Sequence, residues 1–309
     1  MRTIGLQIFD VFTATVFGGN VAGVVSDAGE LSDVEMQMVA REIGVPATGF
    51  VAQTGPADFA VRFFTPAQEI DMCGHGLIAL CNRLVDEGRV EAGAGEQAKL
   101  IVKTNAGAIH VQVHLDGGRP LVMIGQRVPD FSPCDIDPEG LDRALGMAPD
   151  RRIADLPLEI ASATLKHLLV PVRDLETLAE LRPDFTKLGD LSKEIGVISI
   201  AVFTMQTLSS EATVHSRDFC PAVGIPEAAG SGTTNSALFC YLIRNGILCA
   251  TDGELVRIRT EQGYEMNRPS QIQCEASMRG GEIHDMKVGG TAVMSMDGRV
   301  SLPAAPIGA

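Results

Sequence analysis

The amino-acid sequence predicts an α+β protein with two structurally similar domains, each a central helix wrapped by a curved β-sheet. Two observations lead to this prediction. Short runs of β-branched and apolar residues, separated by Gly, Pro and Asp, fill most of the 309-residue chain and are typical of strands. Each half of the chain also holds one apolar helical segment, and the two segments share a pattern. We place the domains at residues 1–127 and 128–290, with a final strand at about 290–300 as a candidate to return to the first domain.

The N-terminal half begins with two predicted strands, at residues 3–9 and 21–25. Ser32-Asp33-Val34-Glu35 has the spacing of a capping box and predicts a helix over residues 32–43. Gly44 and Pro46 prevent that helix from continuing. Further strands are predicted at residues 48–52, 59–64, 100–103, 109–114 and 120–124, and the central helix at about 74–87.

The C-terminal half repeats this arrangement after a break near residues 129–133. Helices are predicted near residues 175–181, 185–195 and 232–245. The last of these is apolar all round between residues 237 and 243, so we expect sheet to cover it on every side. Strands are predicted at residues 159–162, 168–172, 197–203, 213–219, 255–260, 271–277 and 282–288.

The two central helices begin alike. Cys73-Gly74-His75-Gly76 opens the first and Ser231-Gly232-Thr233-Thr234 opens the second. Upstream of them, Phe64-Thr65-Pro66-Ala67 is similar to Phe219-Cys220-Pro221-Ala222. The repetition of residue types at matching positions predicts a duplicated structure.

Composition and charge exclude several classes of function. The 39 acidic residues exceed the 25 basic ones, giving a net charge of −14, so the chain lacks the basic surface that nucleic acids and anionic membranes attract. No apolar stretch reaches the roughly 18 residues of a membrane span, and the start of the sequence lacks a signal-peptide hydrophobic region. The seven scattered cysteines are typical of reduced thiols. We expect a cytoplasmic protein with no nucleic-acid and no membrane partner.

The helix starts are the candidate sites of chemistry. Unpaired N–H groups and the partial positive charge at a helix N-terminus favour a carboxylate or another anion. If the two domains face each other, Cys73 and Ser231 approach one ligand from opposite sides, and the helix end is expected to lower the pKa of the Cys73 thiol. The sequence has no Cys-x-x-Cys pair, P-loop or dinucleotide-binding glycine motif, and its histidines lack metal-ligand spacing. We therefore expect no cofactor and no metal.

Nine motifs, in order from about residue 4 to 300, resemble one family, the PhzF-like proteins of phenazine biosynthesis. The resemblance implies the diaminopimelate epimerase-like fold with its active site in the interdomain cleft, cofactor-independent proton transfer, and a homodimer. The motifs are Asp10-Val11-Phe12-Thr13, Phe17-Gly18-Gly19-Asn20, Arg62-Phe63-Phe64-Thr65-Pro66-Ala67-Gln68-Glu69, Cys73-Gly74-His75-Gly76, Gly224-Ile225-Pro226-Glu227, Ser231-Gly232, Glu261-Gln262-Gly263, Arg268-Pro269-Ser270 and Val288-Gly289-Gly290.

The sequence departs from that family at two acidic positions. Where the phenazine enzymes carry a Glu that serves as general acid/base, this chain has Ala47, and where they carry an Asp after a Pro-Glu pair it has Ala228. A methyl group cannot carry a proton, so the resemblance does not imply the phenazine reaction in its usual form. Glu227 is a candidate substitute for the absent Asp, with a turn role as the alternative.

A second resemblance concerns the first helix start. Met72-Cys73-Gly74-His75-Gly76 is similar to the corresponding loop of proline racemases and trans-3-hydroxyproline dehydratases, in which that Cys moves the α-proton. In the dehydratases a hydroxyl residue replaces the second Cys, and Ser231 fits that asymmetric arrangement.

We predict Cys73, His75 and Ser231 as catalytic residues, with either Cys73 or His75 as the principal base. The predicted function is a cofactor-independent isomerase that moves a proton or double bond in a small carboxylic or amino acid of a biosynthetic pathway, alkylproline-like or phenazine-like. The alternatives are a hydroxyproline-type dehydratase or epimerase, and a non-catalytic protein that binds a small acid. The predicted substrate-binding residues are Asn20, Glu69, Gly74, Gly76, Gly232, Thr233 and Thr234, of which Glu69 also fits a structural role at the helix entry.

Overall fold

The structure, a computed structural model, describes residues 1–53, 59–91, 97–116 and 118–304, apart from the side chain of residue 53. It divides into two compact units: unit 1 comprises Met1–Gly125 and Gly289–Ala309, and unit 2 comprises Gln126–Val288. Strands make up most of both units and helices lie among them, so the predicted α+β class is confirmed. No helix in the described segments is long and apolar enough to cross a membrane.

The described elements are numbered in chain order. The strands are β1 (Arg2–Val11), β2 (Asn20–Val25), β3 (Ala47–Gln53), β4 (Phe59–Phe64), β5 (Glu69–Ile70), β6 (Ala98–Thr104), β7 (Gly107–Asp116), β8 (Arg119–Gly125), β9 (Asp130–Pro133), β10 (Glu159–Ser162), β11 (Lys166–Pro171), β12 (Ser199–Thr204), β13 (Val214–Cys220), β14 (Ile225–Ala228), β15 (Leu255–Gln262), β16 (Ser270–Arg279), β17 (Glu282–Gly290) and β18 (Ala292–Leu302). The α-helices are α1 (Asp33–Ile43), α2 (Gly74–Asp86), α3 (Pro138–Leu145), α4 (Leu175–Glu180), α5 (Phe185–Ile195) and α6 (Gly232–Arg244). Short 3-10 helices lie at Pro149–Arg151, Pro221–Val223 and Tyr264–Met266.

The sheet of unit 1 mixes parallel and antiparallel pairs. β1 pairs antiparallel with β2 and with β18. β2 and β3 are parallel because α1 carries the chain back between them. β4 then pairs antiparallel with β3 and β5 and parallel with β6, and β6, β7 and β8 form an antiparallel meander.

Unit 2 repeats this order of pairings. β10 pairs antiparallel with β9 and β11, and β11 and β12 are parallel with α4 and α5 between them. β13 pairs antiparallel with β12 and β14 and parallel with β15, which pairs antiparallel with β16. The duplication expected from the two central helices is therefore present in the strand pairings as well.

Each central helix is covered by the sheet of its own unit. α2 packs against β1, β2, β3, β8 and β18, and α6 packs against β10, β11 and β16. Every residue from 234 to 242 of α6 is buried, as its apolar sequence predicts. The outer side of the unit 2 sheet is covered by a second apolar core built from α3, α4 and α5.

Three further elements, α1, α3 and β9, show which parts of the fold can be predicted from a few neighbouring residues. The capping box of α1 is present, since Ser32 Oγ accepts the N–H of Glu35 while the Glu35 carboxylate accepts the N–H of Ser32. α3 was not predicted, although Asp137 caps it and Gly146 ends it in the left-handed conformation. The segment at residues 129–133, interpreted as a break, contains β9. This strand pairs with β10, and no pattern in the neighbouring sequence predicts that pairing.

The turn at Gly263 leaves no room for a side chain, so a substitution there should lower the stability of the protein. Gly263 has φ +78°, and a Cβ on it would lie 2.5 Å from Ala229 O and 2.6 Å from Arg268 O. Gly253 has φ +80° but a Cβ there would have no atom within 4 Å. Both Ala substitutions introduce left-handed strain of about 1 kcal/mol, and crowding adds about 2 kcal/mol at residue 263 alone.

Urea unfolding of Gly263→Ala and of the matched control Gly253→Ala should therefore differ by about 2 kcal/mol in the free energy of unfolding. Equal destabilisation by the two variants would contradict the close approach of the backbone to Gly263.

Candidate active site

The first candidate site is the start of α2. Cys73 caps the helix in an extended conformation, and Gly74, His75 and Gly76 form the first turn. A Cβ on Gly76 would lie 2.9 Å from the Phe63 ring, whereas a Cβ on Gly74 would have no atom within 4 Å. The first turn is thus packed at Gly76 and open at Gly74, which leaves room for a ligand.

Strand alternation explains the position of the Phe63 ring. Successive side chains of a strand point to opposite faces of the sheet. Phe64 points to the core beside α1, where its ring lies edge-on to that of Phe50 with centroids 5.4 Å apart. Phe63 therefore points to the other face, under the first turn of α2.

Cys73 and His75 are in contact. Cys73 Sγ lies 3.4 Å from Nδ1 and 3.6 Å from Nε2 of His75. Two nearly equal distances place the sulfur against the ring rather than in line with one nitrogen. Burial raises the pKa of the Cys73 thiol to about 12, although the backbone N–H groups of Gly76 and His75 act in the opposite direction. The expectation that the helix end lowers this pKa is wrong, because desolvation of the thiolate outweighs the helix end.

His75 is an uncharged imidazole at neutral pH. Burial lowers its pKa to about 4, and a hydrogen bond to the backbone of Val21 opposes this fall. A bond that raises the pKa of an imidazole stabilises its protonated form, so Val21 supplies the carbonyl acceptor. One ring nitrogen then carries the proton that Val21 accepts, and the other holds a lone pair. The first site thus pairs a neutral base with a neutral thiol.

Asn20 begins β2, next to the residue that binds His75. Its Oδ1 accepts the N–H of Val21 at 2.9 Å. The preceding turn is tightly packed, because a Cβ on Gly19 would lie 2.0 Å from Val11 O. Asn20, predicted to bind substrate, thus also fixes the start of β2 and, through Val21, the orientation of His75.

The second candidate site is the start of α6. Ser231 caps this helix, and its Oγ accepts the N–H of Thr234 and lies 3.4 Å from Thr233 Oγ1. Ser231, Gly232 and Thr233 are half-buried, whereas Thr234 is buried. The first three can meet a ligand. Thr234, predicted to bind substrate, lies beneath the helix start instead.

Buried polar side chains underlie this second start. His167, Ser199 and Asp218 point to α6, because their neighbours along each strand point into the core beside α3, α4 and α5. Thr234 Oγ1 donates to Asp218 Oδ2 at 2.8 Å, and His167 Nδ1 lies 2.7 Å from Ser199 Oγ. Burial raises the pKa of Asp218 to about 6 and lowers that of His167 to about 4.

An arginine–glutamate pair recurs in both units. The Arg62 guanidinium binds both oxygens of Glu69 at 2.7 Å and lies 5.2 Å from the Phe64 ring centroid. The guanidinium of Arg217 binds Glu227 at 2.9 and 2.8 Å in the same way. Glu69 also accepts from Asn105, so it is held in place by two side chains, and its predicted substrate contact stays a prediction. Glu227 is likewise held by its arginine, and its substitution for the absent Asp stays a prediction.

Asp218, His167 and Ser199 are not among the functional residues predicted from the sequence. For Asp218 a signal exists: aligning Phe219 with Phe64 places Asp218 at the position of Phe63. No comparable signal exists for the other two, because they become neighbours only through the parallel pairing of β11 with β12. Among the described residues, no group of three or more His, Cys, Asp or Glu side chains could hold a metal ion.

The sequence matches the phenazine biosynthesis-like protein family, PhzC-PhzF, over residues 9–298. The chain belongs to this family. Its relatives include an uncharacterized isomerase of Deinococcus radiodurans, which is 34% identical over 290 residues, 93% of this chain and 91% of the relative. The trans-2,3-dihydro-3-hydroxyanthranilate isomerase of Pseudomonas chlororaphis is 28% identical over 298 residues, 96% of this chain and 98% of that enzyme.

Solved structures share the fold. A PhzF-family protein of Bacillus anthracis superposes with a TM-score of 0.89 at 27% identity, over 98% of this chain and all of that one (100%). A hydroxyproline epimerase from Agrobacterium vitis superposes with a TM-score of 0.62 at 14% identity, over 97% of this chain and 93% of that one, which shows the fold alone. The predicted family and the diaminopimelate epimerase-like fold are confirmed, and the chain is a PhzF-family isomerase.

The protonated state of Cys73 in this isomerase can be measured. Because thiolates react with iodoacetamide and burial raises the pKa of Cys73 to about 12, we expect Cys73 to be alkylated at least about 10-fold more slowly than the exposed Cys249 near neutral pH. Peptide mass spectrometry over a time course gives both rates in one sample. Faster alkylation of Cys73 than of Cys249 would show a thiolate stabilised by the helix end.

The two arginine–glutamate pairs form a matched test of burial. The side chains of Arg217 and Glu227 are 9% and 10% exposed, whereas those of Arg62 and Glu69 are 31% and 29% exposed. Breaking a buried pair leaves an uncompensated charge, so Glu227→Gln should lower the free energy of unfolding by about 3 kcal/mol and Glu69→Gln by about 1 kcal/mol. Urea unfolding measures both. A larger loss in Glu69→Gln would contradict the structural account.

Proposed function

We propose that this PhzF-family isomerase moves a proton, and with it a double bond, along a small unsaturated carboxylic or amino acid without a cofactor. His75 is the base that removes the proton. The observation that carries the proposal is the pair at the start of α2: an imidazole whose pKa burial lowers to about 4 lies 3.4 Å from a thiol whose pKa burial raises to about 12. At neutral pH the imidazole can accept a proton and the thiol cannot.

The substrate carboxylate is proposed to lie at the first turn of α2, over Gly74. Helix N-termini favour anions, and a side chain at that position would have no atom within 4 Å. A carboxylate there would place an adjacent acidic carbon near His75. It would also stabilise the imidazolium that forms when His75 takes the proton.

The proton inventory of the reaction balances without an added reactant. The free nitrogen of His75 takes the proton from carbon, the electron pair shifts along the conjugated system, and a donor returns a proton to a carbon further along. We propose the Ser231 hydroxyl as that donor, because Ser231 caps α6 at the sequence position that Cys73 holds at the start of α2. His75 then loses its proton and the donor regains one, so no net proton is consumed.

The names of the relatives and two departures from the family support the proposed substrate class. The Pseudomonas chlororaphis relative acts on trans-2,3-dihydro-3-hydroxyanthranilate, an unsaturated amino acid. The present chain has Ala47 and Ala228 where the phenazine enzymes carry acidic residues. We therefore propose an acid of the same class, handled by His75 rather than by a glutamate. A homodimer, which the family resemblance implies, stays a prediction that light scattering can test.

Deuterium exchange tests the base. The protein is incubated in deuterated water with trans-2,3-dihydro-3-hydroxyanthranilate and, separately, with trans-4-hydroxy-L-proline, and NMR follows deuterium at carbon. We expect exchange with the former acid, and a loss of about 100-fold in His75→Gln, since a general base is typically worth 10²–10⁴-fold. His110→Gln, an exposed histidine on β7, is the matched control and should leave the rate unchanged.

The pH profile gives a second readout. A base acts only when unprotonated, so the rate should fall as the pH drops through about 4 rather than through the usual range of histidine. If His75→Gln exchanged deuterium at the full rate and Cys73→Ala did not exchange it, the base would be Cys73 rather than His75. Exchange with trans-4-hydroxy-L-proline alone, without a double-bond shift, would favour the epimerase alternative.

A further inference from the structure

The residues beneath the first turns of the two central helices differ in chemistry: an apolar ring lies under α2 and polar side chains lie under α6. Under the first turn of α2 lies the Phe63 ring, in contact range of Gly76. The corresponding residues in unit 2 are Asp218 and Thr234, because Arg217-Asp218-Phe219 aligns with Arg62-Phe63-Phe64 and Thr234 follows Ser231 as Gly76 follows Cys73. Where unit 1 has the phenyl ring of Phe63, unit 2 has the carboxyl of Asp218. Where unit 1 has Gly76, which carries only a hydrogen atom, unit 2 has the hydroxyl of Thr234.

These two groups continue a chain of short hydrogen bonds to Ser231. Thr234 Oγ1 lies 2.8 Å from Asp218 Oδ2 and 2.9 Å from Ser231 Oγ. Asp218 is 1% exposed and Thr234 2% exposed, whereas Ser231 is half-buried. The Thr234 hydroxyl donates to Asp218 when that carboxyl is ionised; when Asp218 is protonated, the carboxyl donates to Thr234 and Thr234 donates to Ser231. In the protonated state Thr234 can therefore pass a proton from a buried carboxyl to a hydroxyl that meets ligand.

The charges around Asp218 leave it free to hold a proton. The neighbouring Arg217 guanidinium binds Glu227, and Asp218 Oδ1 has no hydrogen-bond partner within the described segments. Burial raises the pKa of Asp218 to about 6, against hydrogen bonds from Thr234 and Ser199 that favour the carboxylate. The titratable groups that face it are His167 on β11, Cys220 on β13 and Glu227 on β14; His167 is neutral and Glu227 disfavours a second negative charge.

We propose that Asp218 is the proton reservoir of the second helix start and, acting through the Thr234 hydroxyl, supplies the proton that Ser231 delivers to the substrate. This inference rests on the proposed function, in which Ser231 is the donor. Asp218 does not touch the substrate and is a positioning residue for Ser231.

The step balances in protons and bonds. Ser231 Oγ–H gives its proton to the substrate carbanion, Thr234 Oγ–H gives its proton to Ser231, and the Asp218 carboxyl gives its proton to Thr234. One O–H bond breaks and one forms at each hydroxyl, and the net change is a new C–H bond and an Asp218 carboxylate. The relay avoids a free alkoxide, which an isolated Ser231 would become because an ordinary hydroxyl is a very weak acid.

The relay also accounts for the missing acidic residues. Ala47 and Ala228 carry no proton, and Glu69 and Glu227 are held by arginines. Asp218 is connected by a continuous hydrogen-bond path to a predicted catalytic residue, Ser231, and it lies beneath the site rather than in it.

Three variants test the relay on trans-2,3-dihydro-3-hydroxyanthranilate. Asp218→Asn and Thr234→Val should each lower kcat on the order of 10- to 100-fold with little change in KM, and the double variant should be no slower than either single one. Thr234→Ser keeps the hydroxyl and should retain kcat within about 3-fold of the wild type. The wild-type rate should fall as the pH rises through about 6, and this limb should be absent in Asp218→Asn.

Unchanged kcat in Asp218→Asn would overturn the relay, and so would equal losses in Thr234→Ser and Thr234→Val or additive losses in the double variant. A substrate-free measurement separates this outcome from failure of the proposed function. The infrared difference spectrum between wild type and Asp218→Asn should show a protonated carboxyl that ionises with a midpoint near pH 6 and shifts in Thr234→Val. An Asp218 already ionised at pH 4 would overturn the relay even if the enzyme turns over trans-2,3-dihydro-3-hydroxyanthranilate.

A wild-type enzyme that is inactive on this substrate would contradict the proposed function. The infrared titration would still show whether Asp218 holds a proton.

Discussion

Desolvation at the starts of the two central helices is the constraint on which the chemistry of this protein depends. A helix covered by sheet along its length can offer only its end to a ligand, and the residues at that end are partly or wholly removed from water. Removing water disfavours every charged form. Cys73 is therefore a thiol, His75 an imidazole and Asp218 in part a carboxylic acid near neutral pH. A helix N-terminus alone would predict a thiolate, but its partial charge is too small to replace lost hydration.

Duplication of the scaffold does not duplicate the chemistry. The strand pairings, the central helices and the arginine–glutamate pairs recur in both units, whereas the residues under the helix starts do not. Phe63 makes a support that cannot exchange protons, and Asp218 makes one that can. The proposed reaction uses one acceptor, His75, and one donor, Ser231, and the residues beneath these two side chains differ in the same sense.

Much of the fold could be predicted from the sequence because its signals are local. The capping box at Ser32, the glycine that ends α1 and the apolar surface of α6 each act within a few residues of the chain. Pairings between distant strands have no such signal, which is why β9 was interpreted as a break. At the site, Cys73, His75 and Ser231 could be singled out from the repeated motif. Their protonation states could not, since these depend on burial that only the assembled sheet creates.

With the proposed role of Asp218, a site changes its acid without changing its fold. In a duplicated structure, any position under one helix start has a counterpart under the other, and an apolar residue there can become polar only if a partner arises beside it. Thr234 is that partner, because it stands at the sequence position of Gly76 and its hydroxyl lies 2.8 Å from Asp218 Oδ2. Asp218 and Thr234 therefore act together. Without the hydroxyl, the buried carboxyl would lose its 2.8 Å hydrogen bond, and without the carboxyl, the hydroxyl would have no buried acid from which to take a proton.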